Sequence, residues 1–114
     1  MFASMSRPDR APLFAVPLFA ALGDPTRLSL IIKLSAGGAR SIATLATGSG
    51  LSRQAVTKHL HVLAGAGLVS AARVGRENRF SLRADRLSDA SRYLDHVATQ
   101  WDEALDRLKS HLEA

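Results

Sequence analysis

The side chains with the most chemical potential lie in one short stretch of the chain, residues 52–61. With 3.6 residues per helical turn, Val56, Leu60 and Leu63 fall on one face of a predicted helix and polar side chains occupy the opposite face. Those polar side chains are Ser52, Arg53, Gln54, Thr57, Lys58 and His61. Arginine can form paired hydrogen bonds to guanine, glutamine can do so to adenine, and lysine and histidine can contact phosphates. This pattern is typical of a helix that recognises DNA, and a plain solvated helix face is the alternative.

The residues around this stretch predict the elements that position it. Ser41 can cap a short helix that begins at Ile42, residues 48–50 form a glycine-bearing turn, and Ser52 can cap the second helix. Residues 65–67, Gly-Ala-Gly, end that helix. A short helix, a tight turn and a second helix with basic and amide side chains outward make a helix-turn-helix, a motif of DNA-binding proteins.

Two short alternating segments follow and predict a β-hairpin. Residues 69–72 and 79–83 alternate apolar with polar or small side chains, and residues 75–78 lie between them as the turn. A hairpin directly after a helix-turn-helix is a wing. The candidate DNA-binding residues of the wing are Arg73, Arg76, Asn78 and Arg79. Arg40, which precedes the helix-turn-helix, is a candidate for a phosphate contact. Arginines there suit the negative potential of a narrow minor groove, whereas Glu77 would repel phosphate and ordinary surface charge is the alternative.

The N-terminal part of the chain predicts a tail and two helices. Residues 1–11, rich in serine, arginine and proline without periodicity, are expected to form a loose tail. Residues 12–22 predict an apolar helix that ends at Gly23, and Asp24 can cap a second helix with Pro25 at its first position. The side chains that we expect this second helix to turn inward are Leu28, Ile31, Ile32 and Leu34.

A heptad pattern fills the C-terminal part of the chain, where we predict one helix over about residues 86–112. Apolar residues recur there at alternating steps of three and four, and about 25 residues would make a rod of roughly 38 Å. An apolar seam on so long a helix favours pairing with a second copy of the chain. Together with the apolar face of the first helix, the predicted dimer interface is Phe14, Leu18, Phe19, Leu94, Val97, Trp101, Leu105 and Leu108. Trp101 has a second interpretation, as one wall of a pocket for an unknown small-molecule effector, with Tyr93, Phe14 and Phe19.

The charge of the chain is unevenly distributed. Residues 1–84 hold 11 Lys and Arg against 3 Asp and Glu, a net charge of +8, whereas residues 85–114 hold 4 against 7, a net charge of −3. The total of +5 indicates a polyanionic partner, and the basic part coincides with the predicted DNA-binding motif. Solubility alone is the alternative explanation of the charge.

Several classes of chemistry do not fit the residues present. The sequence has no cysteine, which excludes disulfides and thiolate metal sites within it. His96 and His111 lie about 22 Å apart along one predicted helix, and we expect neither a metal site nor a cofactor. No nucleophile turn, phosphate loop or paired-acid motif is present, so no enzyme activity is predicted. No apolar run approaches the roughly 20 residues that span a bilayer, and we expect a cytoplasmic location without membrane contact.

Several of these segments together resemble the ArsR-type winged-helix repressors. The resemblance rests on residues 21–28 (ALGDPTRL), residues 51–60 (LSRQAVTKHL) with Leu63, residues 66–69 (AGLV) and the basic hairpin, and it covers about residues 14–112. It implies a homodimeric transcriptional regulator that pairs through its first and last helices and binds an operator with two-fold character.

The metal sites of that family do not fit this sequence. Metal-sensing members use thiolates on the helix before the recognition helix, and this chain has no cysteine. A second site on the last helix uses an Asp-x-His pair and a histidine followed three residues later by Glu or His. Here Asp95 and His96 are adjacent, and His111 is followed by Glu113. The resemblance is therefore to a branch without the cysteine metal site.

The sequence thus predicts a mainly α protein with about five helices and a two-stranded wing, one winged helix-turn-helix domain over residues 12–114. Its predicted function is sequence-specific binding of double-stranded DNA, as a homodimeric repressor on a near-palindromic operator. Two alternatives stay open: an adaptor whose acidic C-terminal helix binds a partner protein, and a protein that coats DNA without regard to sequence.

Overall fold

The computed structural model describes residues 12–113, and this part of the chain contains five helices and three strands. In chain order they are α1 (Ala15–Leu22), α2 (Pro25–Ser35), β1 (Arg40–Ser41), α3 (Ile42–Ala46), α4 (Arg53–Gly65), β2 (Val69–Val74), β3 (Glu77–Leu82) and α5 (Ala84–Glu113). Residues up to Ala84 form one compact unit, and residues from Asp85 onward form a second. The tail predicted at residues 1–11 lies outside the described residues.

Side-chain caps begin three of the helices at the residues that the sequence predicts. The carboxylate of Asp24 accepts a hydrogen bond from the Arg27 N–H at 3.0 Å. The hydroxyls of Ser41 and Ser52 each accept one at 3.1 Å from the N–H group three residues ahead. Each cap satisfies a donor that the first helical turn leaves without an intrahelical acceptor. Pro25 occupies the first position of α2, where no N–H is needed. These local predictions are confirmed.

The wing has a tighter turn than the sequence suggests. β2 and β3 pair antiparallel along their whole length, which leaves only Gly75 and Arg76 between them. Gly75 has a φ of +63°, the positive value that two-residue hairpin turns require and that glycine adopts without strain. The turn predicted at residues 75–78 is therefore two residues too long.

A third strand, which the sequence analysis did not predict, extends the sheet of the wing. β1 pairs antiparallel with β3, with Arg40 opposite Phe80 and Ser41 opposite Arg79, and the strand order is β1-β3-β2. A strand of two residues is too short to show alternation in the sequence, so its pairing with β3 is what identifies it. Because α3 begins directly after β1, this pairing ties the start of the helix-turn-helix to the wing.

The core of the first unit consists mainly of aliphatic side chains. Val56, Leu60 and Leu63 of α4 are fully buried, as the sequence predicts, and so is Leu45 of α3. The other fully buried large side chains are Leu18 and Leu68. Since one face of α4 is sealed in this core, the opposite face must point outward.

The inward face of α2 differs from the prediction. Ile31 and Leu34 are buried as expected, but Leu28 and Ile32 are 46% and 62% exposed, and Leu30 is buried instead. The predicted and the observed stripes share Ile31 and Leu34, so the sequence pattern alone does not select between them. Packing against the rest of the core selects the stripe that contains Leu30.

The second unit is the single helix α5, which has 30 residues and no glycine or proline. At 1.5 Å per residue it is about 45 Å long, slightly longer than the helix predicted over residues 86–112. Asp89 pairs with Arg86 at 3.8 Å and with Arg92, both at a spacing of three residues. Neither α5 nor any other helix within residues 12–113 is by itself long and apolar enough to cross a bilayer.

Two glycines provide a test of the backbone strain in the wing. Gly75 has a positive φ and Gly65 ends α4 without one, and a Cβ on either residue meets no atom within 4 Å. We expect Gly75→Ala to lower the free energy of unfolding by about 1–2 kcal/mol, because alanine is strained at positive φ. Gly65→Ala, the matched control, should be neutral or stabilising by up to about 1 kcal/mol. Denaturant unfolding monitored by circular dichroism measures both, and equal effects would contradict this reading of the turn.

Candidate nucleic-acid interface

The outer face of α4 carries the predicted DNA-binding side chains in accessible positions. Arg53, Gln54, Lys58 and His61 are exposed, and Thr57 is half-buried. Together with Ser52 and Ala55 these residues line a shallow groove along the helix. The structure therefore brings together all six residues that the sequence predicted for this face.

Two hydroxyls on this face have local partners that define what they can still offer a ligand. Ser52 Oγ accepts the Ala55 N–H at 3.1 Å, which leaves its own hydrogen available as a donor. Thr57 Oγ1 donates to the Arg53 carbonyl at 2.7 Å, which leaves its methyl group and an acceptor lone pair. Thr57 therefore suits contact with a thymine methyl group, and Ser52 suits a phosphate oxygen.

The tip of the wing lies beside the start of α4. A second groove is lined by residues from both elements and from the start of α3, namely Ser41, Ile42, Ala43, Arg53, Thr57, Arg76, Glu77 and Asn78. Two predicted wing residues, Arg76 and Asn78, thus share one concave surface with Arg53 and Thr57. The contribution of residues 41–43 was not predictable from the sequence, because no local pattern shows that β1 pairs with β3.

The remaining predicted arginines have partners within the fold. Arg79 donates through Nε and Nη2 to Glu77 Oε1 at 3.4 and 3.2 Å. Arg73 Nε donates to the Gly75 carbonyl and Arg40 Nε donates to the Gly37 carbonyl, both at 3.3 Å. None of these three arginines is among the residues that line the groove between wing and helix. Because Arg79 neutralises Glu77, the carboxylate at the tip is a smaller obstacle to phosphate than its charge alone suggests.

A polar cluster lies on the other side of α4, where the helix meets the corner between α1 and α2. Arg27 Nη1 lies 3.4 Å from His59 Nδ1, and Asp24 Oδ2 lies 3.8 Å from the same nitrogen. The hydrogen bond from the Arg27 N–H holds the pKa of Asp24 below its ordinary value, and the charges of Arg27 and His59 lower it further. His59 is thus in contact with α2 and with the residue that caps it.

Comparison with known proteins places this geometry in a family. A helix-turn-helix family model matches residues 22–70. The structure of an ArsR-like transcriptional regulator from Rhodococcus sp. RHA1 superposes with a TM-score of 0.74 at 37% identity, covering 82% of this chain and 88% of that one. The chain belongs to the ArsR family of transcriptional regulators.

Two further relatives of this ArsR-family chain extend the comparison. A probable mercury resistance operon repressor from Streptomyces lividans is 37% identical over 84 residues, which are 74% of this chain and 63% of the repressor. The chain therefore spans less than two thirds of that relative. A homodimeric winged helix-turn-helix DNA-binding domain from Mycobacterium bovis shares the fold, with a TM-score of 0.57 at 24% identity, over 85% of this chain and 80% of that one.

The residues predicted to form a dimer interface divide into buried and exposed groups. On α5 of this ArsR-family chain, Leu94, Trp101, Leu105 and Leu108 are each more than half exposed, and Trp101 reaches 64%. The other predicted residue of α5, Val97, is half-buried, as are Phe14 and Phe19 near the N-terminus. Leu18 is fully buried, so its side chain belongs to the core and offers no surface to a partner.

The histidine, aspartate and glutamate side chains of residues 12–113 form no group of three that could hold a metal ion. Asp24 and His59 do lie close to each other, but the third side chain beside them is that of Arg27. Arginine is a cation without a lone pair to donate, so it does not bind metal ions.

Acid unfolding tests the Asp24 cap. Because the pKa of Asp24 is lowered in the folded state, its ionised form stabilises the fold above the unfolded pKa, and this stabilisation is lost as pH falls through the folded pKa. We expect Asp24→Asn, which retains a capping side chain, to lose less unfolding free energy than the wild type between about pH 6 and pH 3. Denaturant unfolding at each pH measures this. Asp106→Asn, on α5, is a control with the same change of charge, and identical pH profiles for wild type and Asp24→Asn would contradict the assignment.

Proposed function

We propose that this protein is a homodimeric transcriptional repressor that binds a near-palindromic operator in double-stranded DNA. The observation that carries the proposal is the surface shared by α4 and the wing, where Arg53 and Thr57 line one groove with Arg76 and Asn78. This surface combines side chains that can recognise bases with side chains that can bind phosphate, and a buried core holds it in place.

The side chains of this surface divide by chemistry into two roles. Gln54 can form paired hydrogen bonds to adenine and Arg53 to guanine, so these two residues supply sequence recognition in the major groove. Lys58 and His61, farther along the same exposed face, are suited to backbone phosphates. Arg76 at the wing tip extends the contact toward the neighbouring minor groove, where negative potential is enhanced.

The charge distribution supports the same orientation on DNA. Residues 1–84 carry a net charge of +8 and residues 85–114 a net charge of −3. A polyanion therefore favours the unit that contains α4 and the wing, and this attraction supplies affinity without sequence preference. A DNA-binding role is consistent with the proposed cytoplasmic location.

The apolar stripe on α5 supports self-association. Its exposed members are Leu94, Trp101, Leu105, Leu108 and Leu112. Large apolar side chains that recur along one face of a helix are normally covered by a partner, and a second copy of the same helix matches their spacing. A two-fold dimer would place two α4 helices about 34–36 Å apart, in successive major grooves of one operator.

We do not propose mercury as the signal for this protein, although the Streptomyces lividans relative is named for mercury resistance. Soft metal ions prefer thiolate ligands, and this chain contains no cysteine. A dimer bound across a promoter would repress transcription until its signal alters the spacing of the two α4 helices.

Selection of bound sequences from random DNA tests the proposal. We expect the wild-type protein to enrich a near-palindrome whose half-sites are about one helical turn apart. Gln54→Ala should relax preference at one base pair per half-site, a loss of about 1–3 kcal/mol of discrimination. Lys58→Ala should weaken binding to all sequences alike and reduce the salt dependence.

Lys109→Ala is the matched control for Lys58→Ala, since it removes the same charge from an exposed position on α5. It should leave the salt dependence of binding unchanged. Tight binding that shows no sequence preference would instead support a protein that coats DNA. No binding to any sequence, with the dimer intact, would reject DNA binding and favour the adaptor.

Sedimentation equilibrium tests the dimer separately. Trp101→Asp places a charge in the centre of the apolar stripe, and we expect it to give monomers that retain helical circular dichroism but lose operator binding. Thr99→Asp adds the same charge to an exposed position on the far side of α5 and should remain dimeric. A Trp101→Asp protein that stays dimeric would place the interface elsewhere.

A further inference from the structure

The guanidinium group of Arg27 joins three elements of the first unit. Its Nε donates to the Ala21 carbonyl at 2.6 Å and its Nη2 donates to the Ala20 carbonyl at 3.4 Å, at the end of α1. Its Nη1 lies 3.4 Å from Nδ1 of His59 on α4. Arg27 itself belongs to the first turn of α2. One side chain therefore links the end of α1, the start of α2 and the recognition helix.

His59 is the residue of α4 that receives this contact, and it faces away from the DNA-binding surface. At 100° per residue, His59 lies about 160° around the helix from both Thr57 and His61. Its side chain is 25% exposed and adjoins Asp24 and Arg27, which are not part of the grooves described for the outer face. His59 therefore lies on the opposite side of α4 from the residues that we propose to contact DNA.

We propose that His59 is a positioning residue for DNA recognition: by accepting a hydrogen bond from Arg27, it fixes the recognition helix against the corner between α1 and α2. This role rests on the proposed function, since it concerns affinity for the operator. It also goes beyond that function, because it assigns part of the affinity to a side chain that does not touch DNA.

The chemistry of the contact requires a neutral imidazole. Arginine is always a donor, so His59 can accept from Nη1 only when Nδ1 carries no proton and Nε2 carries the hydrogen. A protonated His59 would turn an N–H toward Arg27 and meet a like charge, while the carboxylate of Asp24, 3.8 Å from the same nitrogen, would attract it. Protonation therefore exchanges the partner of His59 and loosens the link to α1.

In the described contacts, the charged side chains beside His59 are those of Asp24 and Arg27. Of the other elements packed beside α4, the helices α1 (AVPLFAAL) and α3 (IATLA) contain no ionisable side chain, and β2 contains only Arg73, whose Nε donates to the Gly75 carbonyl at the turn of the wing. On α2 the remaining ionisable residue, Lys33, lies in a groove with Ser29 and Ser49 rather than at the imidazole. Asp24 keeps its charge at mildly acidic pH, because its pKa is lowered.

Three variants of His59 and Arg27 separate positioning from mere packing. His59→Asn retains an acceptor near the position of Nδ1 but does not titrate, whereas His59→Phe retains a ring without an acceptor. Arg27→Lys keeps the charge but cannot reach three acceptors in a planar fork. All are compared by circular dichroism and thermal unfolding first, and affinity is compared among variants that are fully folded at the assay temperature.

The binding assay uses the duplex that the wild-type protein enriches from random DNA. Because His61 lies on the face that we propose to contact DNA, and its protonation would add a charge there, every protein carries His61→Asn. At pH 7.5 we expect His59→Phe and Arg27→Lys to bind about ten-fold more weakly than the parent, and His59→Asn to bind more tightly than His59→Phe. The slope of log affinity against log salt concentration should stay unchanged, since His59 contacts no phosphate.

The pH dependence of DNA affinity distinguishes the two explanations, because a side chain that acts only through packing would not change it. When falling pH protonates the imidazole of His59, the parent should lose affinity several-fold more than His59→Asn. The histidines on α5 are present in both proteins, so any effect of their protonation cancels in the comparison. Identical profiles, or equal affinities of His59→Phe and the parent at pH 7.5, would overturn the proposal.

A measurement without DNA keeps the two hypotheses distinguishable. In NMR titrations of the free protein, the amide groups of Ala21 and Leu22 should report the protonation of His59 through Arg27, and this response should vanish in His59→Asn and in Arg27→Lys. If these amides are silent in the wild type, the positioning contact is absent and the proposal fails. If they respond but no DNA sequence is enriched, the contact exists while both its role in recognition and the proposed function are rejected.

Discussion

The burial of one face of α4 is the constraint on which the rest of the structure depends. Val56, Leu60 and Leu63 are fully buried, and burying side chains of this size contributes about 1.5–3 kcal/mol each. Rotating the helix would expose them, so its orientation is fixed by the core. The polar row from Arg53 to His61 must then face outward, where it can meet a double helix without rearrangement of the backbone.

The wing takes its position from the same core through backbone pairing. Phe80 is buried, and it lies in β3 between β2 and β1. Because β1 leads directly into α3, the sheet connects the tip of the wing to the helix-turn-helix. This connection brings Arg76 and Asn78 beside Arg53, and it creates a concave basic surface from segments that are more than 20 residues apart in the chain.

The two faces of α4 make different kinds of contact. The outer face offers hydrogen-bonding groups to a ligand, and the inner edge, at His59, takes hydrogen bonds from the rest of the fold. A side chain that anchors a helix can contribute to affinity without touching the ligand, because preorganised groups bind without the cost of ordering them. The apolar stripe on α5, whose large side chains are exposed, is the basis of the proposed pairing of two copies of the chain.

The sequence by itself determined the features that arise within one or two helical turns. The caps at Asp24, Ser41 and Ser52, the breaks at glycine, the buried stripe of α4 and its polar face all follow from local spacing, and each was predictable. The tertiary structure decided what depends on distant partners. It buried Leu30 instead of Leu28 and Ile32 on α2, buried Leu18 in the core, paired β1 with β3, and joined Arg27 to His59 across 32 residues. Such contacts leave no periodic trace in the chain, because they are chosen by the packing of whole elements against each other.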